Sequence, residues 1–262
     1  MAGCTAWVSA AGMLRLQMGG DFRTELYERY VSTFKSSQTG KTGKSGLTSE
    51  GAVDWFDHKY LPLLNDLPRD APLLEIGCGP GGLLVYLERR GFSHATGIDI
   101  SAEQVAIAQQ RGAAVELGDA LRVLVERPAA YAAIVAVDVL EHFSKDELPR
   151  LAASVYGALR PGGRLIVQTA NGAGLFPGGI VYGDLTHLTI FTPQSLGQLL
   201  RPAGFVDLSF DETGPVPIRL RGKLDVAIWR AVKAAATFVK YVETGKRQSI
   251  WTENFICRAF KP

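Results

Sequence analysis

Residues able to do chemistry recur at a few places in the chain. Glu75-Ile76-Gly77-Cys78-Gly79-Pro80-Gly81-Gly82 follows Leu73 and Leu74 and leads into an apolar segment with Leu83, Leu84, Tyr86 and Leu87. Alternating glycines let the backbone turn with positive φ and let a ligand approach main-chain N–H groups, so a nucleoside-like or anionic ligand is expected on this loop. Further acids stand at Asp99, Asp119 and Asp138, each just after a short apolar run. Asp138-Val139-Leu140-Glu141-His142 adds a carboxylate and an imidazole at i+3 and i+4, which share one face of a helical turn. His187, in Tyr182-Gly183-Asp184-Leu185-Thr186-His187-Leu188, is a further candidate for the same cluster. Carboxylate oxygens with imidazole nitrogens suit a divalent cation, and imidazole alone suits proton transfer near neutral pH.

These groups need a scaffold that brings them to one edge. Strands are expected at 73–76, Ala95 to Ile100, Ala113 to Leu117, Ala132 to Val137, Arg164 to Gln168, Val206 to Phe210 and Glu253 to Phe260, with helices between them. Short apolar strands alternating with helices predict an α/β fold, a doubly wound, seven-stranded, mostly parallel sheet with an antiparallel final hairpin. Ligands of such sheets bind beyond the C-terminal strand ends, where Glu75 to Gly81, Asp99, Asp119 and Asp138 to His142 would all fall. Arg160-Pro161-Gly162-Gly163 is expected to stop the helix before the fifth strand.

The 262 residues divide into an extension over 1–48 and a main domain over 49–262, with a helical insertion over 212–250. Leu26, Tyr27, Tyr30, Val31 and Phe34 have helical spacing, and the polar, glycine-rich stretch 36–46 reads as a flexible linker or a lid. Residues 1–17 read as dispensable. Thr48 or Ser49 can cap a helix reaching Asn65, with Pro62 breaking it near its end. Asn171 to Ile180 reads as a mobile glycine-rich connection over the site. Lys223 to Tyr241 reads as a basic amphipathic helix that packs on its own domain or a second subunit, an anionic lipid surface being the alternative.

A hydrophobic content of 47% and a charged content of 21% exclude a disordered chain, and a net charge of +2 gives no reason to expect nucleic acid. Cysteines 4, 78 and 257 form no C-x-x-C pair, which fits a reducing, cytoplasmic setting. No apolar run is long enough to span a bilayer, and a homo-oligomer is allowed.

Gly77-x-Gly79-x-x-Gly82 with Asp99 also satisfies a dinucleotide fingerprint, so the loop alone does not choose its ligand. The ordered set Glu75-x-Gly77-x-Gly79-x-Gly81, Gly97-Ile98-Asp99, Gly118-Asp119-Ala120 and Leu159-Arg160-Pro161-Gly162-Gly163 resembles the class I S-adenosylmethionine-dependent methyltransferases over about residues 50–210. The resemblance implies S-adenosylmethionine as cofactor, held by Glu75, Gly77, Gly79, Gly81, Asp99, Ile100, Asp119, Ala120 and Asp138. In it Asp99 accepts from the ribose diol, Asp119 accepts from the adenine amino group, and Ala120 donates a main-chain N–H. Asp138-x-x-Glu141-His142 with the later His187 resembles the ubiquinone-pathway O-methyltransferases and the small-RNA 2′-O-methyltransferases. That implies a metal site of Asp138, Glu141, His142 and His187, with Mg²⁺ expected, and His142 or His187 as catalytic ligand or base. The Asp184 to His187 loop and Phe191-Thr192-Pro193 resemble bacterial enzymes linked with glycan assembly, making a sugar or glycan hydroxyl the first acceptor class and a quinone-type phenol the second.

Overall fold

The computed structural model describes residues 50–262. The expected helix over 21–35, the 36–46 stretch, the 1–17 extension and the caps at Thr48 and Ser49 lie outside the described residues.

Helix α1 (Glu50–Lys59) gives way at Tyr60 to the single turn α2 (Leu61–Leu64), with Pro62 in its first positions. Then follow β1 (Leu73–Ile76), α3 (Gly82–Arg89), β2 (Ala95–Asp99), α4 (Ala102–Gln110), β3 (Val115–Leu117), α5 (Ala120–Val123) and β4 (Tyr131–Val137). A 3₁₀ turn (Leu140–His142) precedes α6 (Leu148–Ala158), β5 (Leu159–Ala170), α7 (Gly178–Tyr182), α8 (Pro193–Leu200), β6 (Val206–Glu212), α9 (Arg219–Thr244) and β7 (Asn254–Phe260). The seven strands form one sheet in the order β3-β2-β1-β4-β5-β7-β6. β1 to β5 pair in parallel, and β7 runs antiparallel to both β5 and β6.

The two-residue period of a strand sorts its side chains into two cores. Leu74, Ile76, Ile134, Ala136, Leu165 and Val167 meet Leu148, Leu151 and Val155 of α6 and Leu196 and Leu200 of α8 on one face. Leu73, Ala133, Val135, Ile166 and Ile256 meet Phe56, Tyr60, Leu64, Leu83, Tyr86 and Leu87 on the other. Burial on both faces explains why β1 and β4 are almost unbroken apolar runs. It also makes Glu75, buried within β1, conspicuous.

Several bounds differ from the sequence reading. The Pro161-Gly162-Gly163 turn is a bulge inside β5: pairing begins with Tyr131 opposite Leu159 and resumes with Ala133 opposite Arg164. Gly162 supplies the left-handed conformation there, with φ of 74°. Ala113 and Ala114 precede β3, and β6 continues two residues beyond Phe210 to Glu212. The connection after β5 is pinned at its start, contrary to expectation. Asn171 is buried, its N–H donates to Glu253 O (2.7 Å), Gly172 N donates to Phe191 O (2.8 Å) and Leu175 N to Trp251 O (3.0 Å). The buried amide of Asn171 is what sequence periodicity could not show; its Nδ2 donates to Thr252 O at 2.9 Å.

Arg164, buried at the start of the apolar part of β5, reaches Asp66 with two nitrogens at 2.6 Å each and Leu63 O at 2.8 Å. These bonds, and then the guanidinium charge, hold the Asp66 carboxyl below its usual 3.8 against some desolvation. A lowered folded pKa means stability that is present above the usual value and lost as pH falls through the lowered one. Asp66→Asn is therefore expected to lower the melting temperature at pH 7 and to shrink the further loss seen below about pH 4 in thermal scans. Equal acid sensitivity of the two proteins would contradict this.

Candidate active site

The turn after β1 is built on left-handed glycines, with φ of 63° at Gly77, 52° at Gly79 and 73° at Gly81. A Cβ on Gly77 would stand 2.5 Å from Val139 Cγ2, so the loop passes directly beneath the segment that follows β4. Gly79 is different: the nearest atom to its Cβ position is Gln104 Oε1 at 4.0 Å, leaving open space in front of the loop. Asp99, buried at the end of β2, closes this turn. Its Oδ2 accepts from Gly79 N and its Oδ1 from Ser101 N, both at 2.8 Å. Ser101 in turn caps α4, accepting from Gln104 N, and half-buried Ile100 lies between the two.

Glu75 Oε2 is buried without a hydrogen-bond partner. Burial first, and the neighbouring Asp99 charge second, push its carboxyl well above the ordinary carboxylate range. An orphaned buried oxygen beside an open glycine loop is what a polar ligand group satisfies, since leaving it unpaired is costly. Asp119 caps α5, its Oδ1 accepting from Leu121 N at 3.0 Å, and Ala120 begins that helix with its side chain buried. Glu75, the three glycines, Asp99 with Ile100, and Asp119 with Ala120 thus stand in register along the ends of β1, β2 and β3. These residues fit a nucleoside-bearing cofactor.

Beyond β4 the structure divides the expected metal set. Glu141, His142 and His187 bring ligand atoms within 4.8 Å of one another. Asp138 does not join them. It takes a left-handed φ of 53°, and helical geometry begins only at Leu140, so the i, i+3, i+4 convergence read from sequence is lost. Its carboxylate turns to β5 and β7 instead, accepting from Gln168 Nε2 (3.1 Å to each oxygen) and Asn254 Nδ2 (2.8 Å). Tyr60, buried opposite, donates its hydroxyl to Gln168 Oε1 at 3.0 Å and completes the chain.

The loop carrying His187 is clamped by main-chain bonds: Leu188 N and Thr189 N donate to Glu141 O at 2.8 and 3.0 Å. Thr189 Oγ1 adds a bond to Phe143 O at 2.9 Å. The His142 and His187 rings then lie 4.9 Å apart, centre to centre. His142 Nδ1 is 3.2 Å from Thr186 O and 2.9 Å from Thr186 Oγ1. A carbonyl oxygen only accepts, and the Thr186 hydroxyl spends its proton on Asp184 Oδ1 at 2.6 Å. Nδ1 therefore carries the ring proton, and Nε2 is the nitrogen with the lone pair. His187 Nδ1 is buried and lacks a hydrogen-bond partner.

Glu141 is buried and accepts from Thr169 Oγ1 at 2.8 Å. Burial, then the Asp138 charge, pushes its carboxyl up to about 8. One such carboxyl and two imidazoles do not fit Mg²⁺, which takes oxygen ligands in an octahedron. The expected Mg²⁺ is not supported. The sequence reading missed the roles of Thr186 and Asp184, although Asp184-x-Thr186 has the spacing of a local side-chain turn. Phe191 is a core residue and Thr192 caps α8, so the Phe191-Thr192-Pro193 signature is occupied with building the fold. His94 lies exposed with Nδ1 2.9 Å from Asp70 O, away from this cluster in role.

A mostly parallel sheet in this order, with an antiparallel β7, a glycine turn after its first strand and acids at the next strand ends define the class I S-adenosylmethionine-dependent methyltransferase architecture. A family of methyltransferase domains matches residues 54–209, and the chain belongs to that family. A ubiquinone biosynthesis O-methyltransferase from Xylella fastidiosa is 32% identical over 168 residues, 55% of this chain and 63% of that protein. One of the same name from Aeromonas salmonicida is 28% identical over 173 residues, 59% of this chain and 68% of that one. The chain thus aligns with less than two thirds of the Xylella relative. Among solved structures, a SAM-dependent methyltransferase from Archaeoglobus fulgidus superposes with a TM-score of 0.62 at 18% identity, covering 81% of this chain and 95% of that one. Haemonchus contortus phosphoethanolamine N-methyltransferase 2, in complex with S-adenosylhomocysteine, gives 0.57 at 15%, covering 90% and 60%. Likeness at such identities is one of fold.

Proposed function

We propose that the protein transfers a methyl group from S-adenosylmethionine to a hydroxyl of a small apolar or aromatic acceptor, with His142 Nε2 taking the hydroxyl proton. The observation behind this reading is the Asp184–Thr186–His142 chain, which holds the proton on Nδ1 and the lone pair on Nε2. The cofactor supplies a methyl group activated on a sulfonium. Glu75, Gly77, Gly79, Gly81, Asp99, Ile100, Asp119 and Ala120 are the residues proposed to hold it; Asp138 serves as a brace between β4, β5 and β7. As the C–S bond breaks and the new C–O bond forms, the hydroxyl proton passes to Nε2, and His142 becomes an imidazolium whose Nδ1–H still donates to Thr186. Burial of Glu141 and clamping of the His187 loop keep these groups in place before the acceptor arrives.

The acceptor class rests on the exposed side chains that flank His187 in sequence. Phe176, Tyr182 and Leu185 are 76%, 84% and 84% exposed, and Leu188 is 44% exposed, along the chain on either side of His187. Apolar side chains exposed on the segment that carries His187 favour a phenol or lipid-like alcohol over a sugar, whose hydroxyls call for polar partners. The names of the ubiquinone-pathway relatives point the same way.

The proximity of Glu141, His142 and His187 supports a second reading, in which a borderline divalent ion such as Zn²⁺ is held by these three and lowers the acceptor pKa. One experiment separates the two. Metal-stripped protein in excess EDTA is assayed for methyl transfer to a panel of catechols, long-chain alcohols and sugars, with mass spectrometry of the products. Full activity toward a phenol or lipid-like alcohol is expected. Activity restored only by added Zn²⁺ selects the metal reading, and methylation of sugars alone overturns the acceptor class.

A further inference from the structure

Helix α9 runs for 26 residues, about 39 Å at helical rise, and none of its side chains is buried. It is fastened to the domain along one line. Trp229 Nε1 donates to Glu212 Oε2 at 3.1 Å, and Lys233 pairs with the same oxygen. Thr237 Oγ1 donates to Gln248 O at 3.1 Å and accepts from Trp251 Nε1 at 3.0 Å, while Lys240 lies over the Trp251 ring. Residues 229, 233, 237 and 240 share one face at helical spacing.

The opposite face is apolar and open. Leu220, Leu224, Ile228, Phe238 and Val242 are 85%, 59%, 54%, 69% and 69% exposed. With Ala231 and Ala235 they form a stripe the length of the helix, at intervals of three and four residues. Arg219, Lys223 and Arg230 recur along one edge of it. Between Arg219 and Arg247 stand eight basic and two acidic residues, whereas the whole chain has a net charge of only +2. The remainder of the protein is therefore net acidic, and the positive charge is concentrated on this helix and the turn after it; Lys233 and Lys240 face the domain, and the other six stand off the fastened face.

We propose that α9 docks the protein on an anionic lipid surface, lying in the plane of the interface with the Leu220–Val242 stripe among the acyl chains. Charge decides between occupants. Pairing with α9 of a second copy, parallel or antiparallel, sets basic helix ends against basic helix ends, which is repulsive. A negatively charged leaflet satisfies both the stripe and its basic border, each Lys or Arg near the surface adding to attraction. The helix is not apolar enough to cross a membrane, so it rests on one face.

The test is sedimentation of the full chain with phosphatidylcholine vesicles, with and without phosphatidylglycerol. Binding is expected only to the anionic vesicles and is expected to fall steeply with salt. Leu224→Asp and Phe238→Asp, at exposed positions, are each expected to weaken partitioning by at least about tenfold. Their S-adenosylhomocysteine binding by calorimetry should stay unchanged, which separates lost docking from lost fold. Equal binding to neutral vesicles, or none to either kind, overturns the proposal. So does a stable dimer in solution that Phe238→Asp dissociates in a protein that ignores vesicles.

Discussion

His142→Ala is expected to slow methyl transfer by about 10²–10⁴-fold, the range a positioned general base supplies, while leaving S-adenosylhomocysteine affinity within about twofold of the parent. The separation follows from geometry. His142 is anchored to Thr186 at the acceptor side, and the glycine turn and Asp99 that form the proposed cofactor site do not depend on its ring. Thr186→Val sharpens the test. Valine keeps the branched shape of this buried residue but removes the hydroxyl that accepts from Nδ1–H and donates to Asp184. The carbonyl of residue 186 still accepts from Nδ1–H, so a smaller loss, about tenfold in kcat, is expected, with the acidic limb of the pH–rate profile displaced. A purely structural threonine would lower the melting temperature and leave that limb where it was. Unchanged kcat in His142→Ala would remove the imidazole from the reaction and send the search for the base elsewhere.

Asp99→Asn is expected to weaken S-adenosylhomocysteine binding by about ten- to a hundredfold, read by calorimetry, and to lower stability by about 1–3 kcal/mol. Both effects come from one mismatch. The two oxygens of Asp99 accept main-chain N–H bonds from Gly79 and Ser101. Asparagine has the same size but only one acceptor oxygen, so its amide must point N–H groups at another N–H. The turn loses one anchor where Gly79 holds a left-handed φ of 52°. Asp99→Ser, too short to bridge both donors, is expected to behave at least as badly. Parent-like affinity in both variants would mean the turn is shaped by its glycines alone and that Asp99 is no part of the cofactor site.

Much of the scaffold is legible in the amino-acid sequence. Leu73–Ile76, Glu75 apart, and Tyr131–Val137 are apolar on both faces, and a run of that kind has few places to go except the centre of a parallel sheet. The glycines at 77, 79 and 81 declare their turn because side chains there would be strained or would strike Val139. The bulge at Pro161–Gly163 was less legible. A helix stop and a strand bulge use the same residues, and only the pairing with Tyr131 and Ala133 tells them apart. The basic amphipathic helix was also visible in the sequence; which of its faces the domain would use was not.

The candidate site shows where local reading ends. Chain order alone determined that Glu75, Asp99, Asp119 and the 138–142 segment lie at the same edge, because each closes a strand of one parallel sheet and successive strands point the same way. Their mutual geometry is a matter of long-range contacts. Asp138 has a left-handed φ, and its carboxylate accepts from Asn254, 116 residues on, outside the group that Glu141 forms with the two histidines. Thr186 meets His142 across 44 residues, and Leu188 and Thr189 dock on the carbonyl of Glu141. Such encounters depend on how loops settle against a finished sheet, which neither spacing nor residue type encodes. The tertiary structure alone decided that Glu141, His142 and His187 converge, that His142 carries its proton on Nδ1, and that α9 turns its apolar stripe away from the domain.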